Sequence, residues 1–133
     1  MNKTAKLLYD ILSGKVRKHN MPMSRFYMGA WIHDCGTPAC IGGHAQVLLG
    51  MPNARWQRVA EGLGLHKDIA DALFFPLISD LDAKRNKIVR QLYGPTAAED
   101  LPIQYIGSRG AKLAAEALKR AVKLSQPKPS KKK

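Results

Sequence analysis

Leu7, Leu8, Ile11 and Leu12 recur at helical spacing and stop at Ser13-Gly14, and this alternation of a short apolar stripe with a glycine or proline stop continues down the chain. No segment alternates apolar and polar residues over a convincing length, and no heptad run is long enough for a coiled coil. The chain is thereby confined to short helices buried against one another. The expectation is an all-α fold, a single compact domain of about six short helices over residues 1–124.

The first helix covers residues 3–13 and leads into a basic loop, Lys15 to Asn20; the aromatic segment Met23 to Ile32 is not assigned. Thr37 is a good N-cap and Pro38 suits the first helical position, because its missing amide hydrogen would find no partner there in any case. A second helix therefore runs from that point to Leu49, with Gly50 and Pro52 ending it. Asn53 caps a third, whose buried face is Trp56, Val59, Ala60 and Leu63, with Gly64 in the left-handed closing position and Leu65 packing back. A fourth spans Lys67 to Phe75 before Pro76. Ser79 with Asp82 resembles a capping box opening a fifth, to Tyr93, and Thr96 with Glu99 offers one more turn limited by Pro102. The last helix, Ser108 to Leu124, sets Leu113, Ala117, Leu118, Ala121 and Leu124 along one side and Lys112, Glu116, Lys119, Arg120 and Lys123 elsewhere.

Residues 125–133 read Ser-Gln-Pro-Lys-Pro-Ser-Lys-Lys-Lys, with nothing to bury, and are expected to form a disordered basic tail. At 133 residues the chain is long enough to bury a core without a covalent staple. Two cysteines are far from a disulfide scaffold, no apolar run approaches the roughly 20 residues of a membrane span, and Asp10 interrupts the first apolar group, which lacks a cleavage site. A cytoplasmic protein with no membrane partner is expected.

Charge is unevenly distributed. Residues 1–30 hold six cations against one acid, residues 31–107 seven against eight, and residues 108–133 nine against one, within a formal net charge of +12. A neutral body with basic ends favours polyanions, nucleic acid first among them. The candidate phosphate contacts are Lys15, Arg17 and Lys18 near the N-terminus, and Lys112, Lys119, Arg120, Lys123, Lys128, Lys131, Lys132 and Lys133 near the C-terminus. Tyr27 and Trp31 could stack on bases, but beside Met28 and Ile32 they read more readily as core.

Both cysteines and two of the four histidines fall within residues 33–44, as His33-x-Cys35-x4-Cys40-x3-His44. These ligand types suit tetrahedral zinc, and Cys40 and His44, four apart, share one helical face; the spacing matches none of the common zinc modules. Two other readings stand beside zinc. The cysteines pack as small apolar residues, with Gly36, Gly42 and Gly43 allowing close backbone approach and the histidines partly exposed. Alternatively they form a transient disulfide, a thiol near a helix N-terminus having a depressed pKa. No third group is identifiable to orient a cysteine-histidine pair, and there is no P-loop or dinucleotide fingerprint, so no catalytic residue is assigned and a non-enzymatic protein is expected.

Residues 57–65 followed by a helix have the glycine and apolar spacing of a helix-turn-helix. The second helix, however, offers Asp68 and Asp71 against a single Lys67, the wrong charge for a recognition helix. Ordinary capping between two packed helices explains the same pattern.

FYMGAWIHDCGTPACIGGHAQVLLG, then VAEGLGL, then ALFFP, resemble a group of small uncharacterised bacterial and bacteriophage proteins. Their pattern runs as an aromatic residue, Met-Gly-x-Trp, Cys-Gly-Thr-x-x-Cys-Ile-x-Gly, Leu-Gly-Leu and Leu-Phe-x-Pro, and the likeness covers residues 26–76. It implies a setting, phage or mobile element, and no activity. The expected function is a small basic protein holding nucleic-acid backbone without sequence preference. The alternatives are a protein-interaction module, such as an inhibitor of a host nucleoprotein or defence complex, and a zinc-stabilised helical binding module.

Overall fold

A computed structural model describes residues 1–18, 21–28, 31, 38–51, 55–76, 82–94 and 106–126. Among them are six α-helices in one compact body: α1 (Lys3–Leu12), α2 (Ile41–Leu49), α3 (Trp56–Gly62), α4 (Lys67–Phe74), α5 (Ala83–Tyr93) and α6 (Gly107–Ser125). A 3-10 turn spans Met23–Arg25. The described residues contain no strand; Tyr27 and Ile106 form an isolated antiparallel bridge. None of the helices among the described residues is long and apolar enough to cross a membrane.

The last helix is the hub. α6 packs against α1, α4, α5 and the 3-10 turn, and its buried side is built from Gly110, Ala111, Ala114, Ala115, Ala117, Leu118, Ala121 and Val122. Small side chains let neighbouring backbones approach on several sides at once, which a leucine stripe would prevent. The expected apolar face is therefore corrected. Ala117, Leu118 and Ala121 are buried, but Leu113 is 47% exposed and Leu124 43%, on the same side as the cations.

Local signals set most boundaries. Asn2 caps α1, its Oδ1 accepting from the Ala5 amide at 2.8 Å, while its Nδ2 donates to the Gly62 carbonyl at 3.0 Å and ties the start of α1 to the end of α3. After α3 the Gly64 amide donates to Glu61 and the Leu65 amide to Ala60, with Gly64 at φ +73° and Leu65 buried. This is a Schellman closure. Gly50 closes α2 in the same way, with its amide on Val47 and that of Met51 on Gln46.

Three helix starts differ from expectation. The N-cap of α2 is Cys40, so Pro38 precedes the helix; Thr37 lies outside the described residues. The Ala39 amide donates to the Trp31 carbonyl, and the Ala39 carbonyl accepts from Tyr27, a pairing that holds this stretch extended. For α5 the cap is Asp82, which accepts from the Arg85 amide at 3.0 Å; Ser79 and Asp80 lie outside the described residues. α3 opens at Trp56 with Arg55 as its N-cap and no side-chain cap, not at the expected Asn53; Asn53, the Thr96 turn and the tail beyond Gln126 lie outside the described residues.

Candidate functional site

The two basic ends of the sequence meet in space. After α1, Gly14 adopts φ +87°, and the chain folds back so that the Lys15 and Val16 amides both donate to the Asp10 carbonyl, at 2.9 and 3.1 Å. The returning segment lies over the start of α6. Between them is a cavity of about 660 Å³, with Ile11, Leu12, Val16, Met21, Pro22 and Met23 as its apolar lining. Arg17 and Lys18 from the N-terminal segment and Lys112 from α6 also line it, with Ser13, Gly14 and Ser108 and, among the described residues, no acidic side chain. A Cβ placed on Gly14 would sit 3.9 Å from Cε of Lys112, which shows how close the two basic segments come.

From this cavity a cationic stripe follows α6. Arg109, Lys112, Lys119 and Lys123 are exposed at intervals of three, seven and four residues and lie on one side of the helix. Glu116, in the middle, accepts a hydrogen bond from the Tyr9 hydroxyl at 2.8 Å. That bond, burial and the nearby carboxylates of Glu116 and Asp10 raise the Tyr9 pKa above its ordinary value. The Lys15 and Lys6 ammonium groups stand 5.6 and 5.7 Å from the centroid of the Tyr9 ring. The α1 edge and the α6 stripe are thus one continuous surface.

Among the described residues, no ion pair engages Lys15, Arg17, Lys18, Lys112, Lys119 or Lys123; the pairs present are Lys6–Asp10, Lys84–Asp68 and Arg85–Asp71. Arg120 has a different position from the one its charge suggests. Its Nη1 donates to the Leu92 carbonyl at 2.7 Å, capping the end of α5. Lys128, Lys131, Lys132 and Lys133 lie outside the described residues. Arg109 was absent from the candidates although it belongs to the same spacing, and the joining of Lys112 to Arg17 and Lys18 has no signal in sequence.

Half of the cysteine and histidine cluster, His33 and Cys35, lies outside the described residues. Cys40 and His44 do share the first turns of α2, but in the core. Burial pushes the Cys40 thiol up to about 11, overcoming the opposing effect of the Gly43 and Gly42 amides, so the expected depression at a helix start does not hold. His44 is 1% exposed, not partly exposed. Its Nδ1 lies 2.8 Å from the Cys40 carbonyl and its ring 5.8 Å from that of Phe26. A carbonyl can only accept, so Nδ1 carries the hydrogen. No group of three or more metal-ligating side chains occurs among the described residues.

Gly42 has the close-approach role expected of it: a Cβ there would lie 2.1 Å from Cη2 of Trp31. The Trp31 indole donates to Gln46, stacks on Phe75 at 5.9 Å, and meets Phe74 edge-on at 5.5 Å; Trp56 completes the group, 6.4 Å from Phe74. Trp31 is thus half-buried among aromatic rings, as a packing residue. In the helix-turn-helix candidate, Asp71 of α4 pairs with Arg85 at 3.2 Å and Asp68 with Lys84 at 3.9 Å. α4 is packed against α5 and α6, a scaffold position.

No protein family, curated protein or solved structure matches the chain.

Proposed function

We propose that this chain is a non-enzymatic protein that holds the phosphate backbone of nucleic acid, without reading bases, on the face formed by α1, the Lys15–Lys18 segment and α6. The observation that carries the reading is the meeting of Arg17 and Lys18 with Lys112 at the head of the α6 stripe. Six cations from opposite ends of the sequence are thereby presented together and free of acidic partners among the described residues. Cations so placed displace condensed counterions from a polyanion, and their flexible stems suit phosphate more than base edges.

Fluorescence anisotropy of a labelled duplex, titrated at several salt concentrations, tests this. Six phosphate contacts give a slope of log affinity on log salt of about −5, a loss of roughly a thousandfold between 50 and 200 mM salt. Replacing Lys112, Lys119 and Lys123 by glutamine lowers the slope by roughly 3 and weakens binding equally for unrelated sequences. Arg120 is left in place because of its contact with α5. Unchanged affinity in the triple variant overturns the proposal.

A second reading, a module that docks on a host nucleoprotein or defence complex, draws on Phe75, 36% exposed at the edge of the aromatic group and stacked on Trp31. Capture of a partner through that surface survives high salt and is lost in Phe75→Ser. Capture that is salt-sensitive and indifferent to Phe75 counts against it.

A further inference from the structure

We propose that the cavity at the head of the basic face is a binding site for a small amphipathic anion, a phosphate or carboxylate head on an aliphatic body. The inference stands on the cavity and does not require the nucleic-acid reading. At about 660 Å³ the space lies within the range of small-ligand sites, roughly 300–1,000 Å³. Its chemistry is divided. Ile11, Leu12 and Met21, buried in the fold, fix the floor of the space, and the half-buried Val16, Pro22 and Met23 present its accessible aliphatic wall, Met23 with an unbranched side chain that adapts to a ligand's shape. Arg17, Lys18 and Lys112 supply positive charge from two segments, and among the described residues no carboxylate lines the space to offset it.

That division selects the occupant. Three like charges around one hollow raise the local potential, and an anionic head relieves it. A bare inorganic anion would leave the aliphatic wall against water, whereas an alkyl chain covers it. Among the described residues no aromatic ring lines the cavity, so they offer a nucleobase no stacking surface. The first turn of α6, which contributes Ser108 and has no side-chain cap, adds its dipole in the same sense.

Isothermal titration calorimetry of the full chain without nucleic acid tests the site, using decyl phosphate below its micellar concentration, inorganic phosphate and decanol. Decyl phosphate is expected to bind saturably, and each of the other two at least about tenfold more weakly, since each supplies half of the recognition. Val16→Trp, which fills the space without altering charge, lowers decyl phosphate affinity at least about tenfold, and Lys112→Gln at least about fivefold, in chains whose circular dichroism is unchanged. Lys119→Gln, outside the cavity, weakens nucleic-acid binding while leaving decyl phosphate affinity unchanged, so loss of this site and failure of the proposed function are read separately. Inorganic phosphate or decanol binding as tightly as decyl phosphate overturns the proposal, as does indifference of decyl phosphate affinity to the natively folded Lys112→Gln chain.

Discussion

Gly42→Ala is a sharp test of the packing that seats α2. The new methyl carbon would lie 2.1 Å from Cη2 and 2.2 Å from Cζ3 of Trp31, where carbon atoms in contact prefer about 3.5–4.0 Å. The indole is not at liberty to swing away. Its N–H is engaged by Gln46, and its faces and edges meet Phe75 and Phe74. Alanine is the better helix former by about 1 kcal/mol in a helix interior, and by less in the first turn, where Gly42 sits. Against that gain stand overpacking, about 1–3 kcal/mol, and displacement of the ring, which forfeits a hydrogen bond worth about 1 kcal/mol and part of an aromatic contact. The balance is a destabilisation of about 2 kcal/mol, which for 133 residues is a fall in Tm of about 7 °C. Urea unfolding followed by far-ultraviolet circular dichroism measures it. In a cycle with Trp31→Leu, which removes the obstructing ring, the two changes are expected to couple by at least about 1 kcal/mol. A Gly42→Ala chain as stable as the parent, or strictly additive changes, would refute the seating of Trp31 on this glycine.

Further outcomes follow from single contacts. Asn2→Ala removes both the cap of α1 and the bond to Gly62, and is expected to lower unfolding free energy by about 1–2 kcal/mol in urea titrations. The Cys40 thiol, about 11 in the fold against 9.0 for an ordinary thiol, keeps its proton in the folded chain. Its contribution to stability is therefore complete below pH about 9 and is lost as pH rises toward about 11; in a Cys35→Ala chain at pH about 8, a disulfide reagent should react only on unfolding. Arg120→Gln should destabilise by about 1 kcal/mol through the Leu92 carbonyl, whereas Lys119→Gln should leave the unfolding midpoint unchanged and weaken only polyanion binding. In Glu116→Gln the Tyr9 pKa should fall toward its ordinary value, as seen by ultraviolet titration of phenolate absorbance.

Where a boundary is written in local chemistry, the residues themselves disclose it. The apolar stripe of α1, the glycines after α2 and α3, and the span of α6 are legible because each rests on contacts within a few positions. The start of α2 is not, because Ala39 is bound to Trp31 and Tyr27, contacts that Thr37-Pro38 cannot reveal. The inward side of α6 misleads for a related reason. Hydrophobicity ranks Leu113 above Ala114, but a helix enclosed by α1, α4 and α5 needs small residues inward, and this requirement is visible only once the neighbours are in place. The same division applies to the candidate site. The basic segments were individually visible, whereas the closeness of Arg17 and Lys18 to Lys112 depends on how α1 lies on α6. Arg120 shows the limit of reading charge alone, since its guanidinium serves a carbonyl of the fold.

The placement of α6 at the centre dictates the order in which this molecule can assemble. The Tyr9–Glu116 bond joins residues 107 positions apart, and the contacts of α1 with α6 are of similar reach. During synthesis α1 to α5 emerge while the strip of alanines that should separate and support them does not yet exist. Such a topology predicts late, concerted acquisition of structure, slower than is usual for short-helix bundles, and a nascent chain whose apolar surfaces need shielding until α6 arrives.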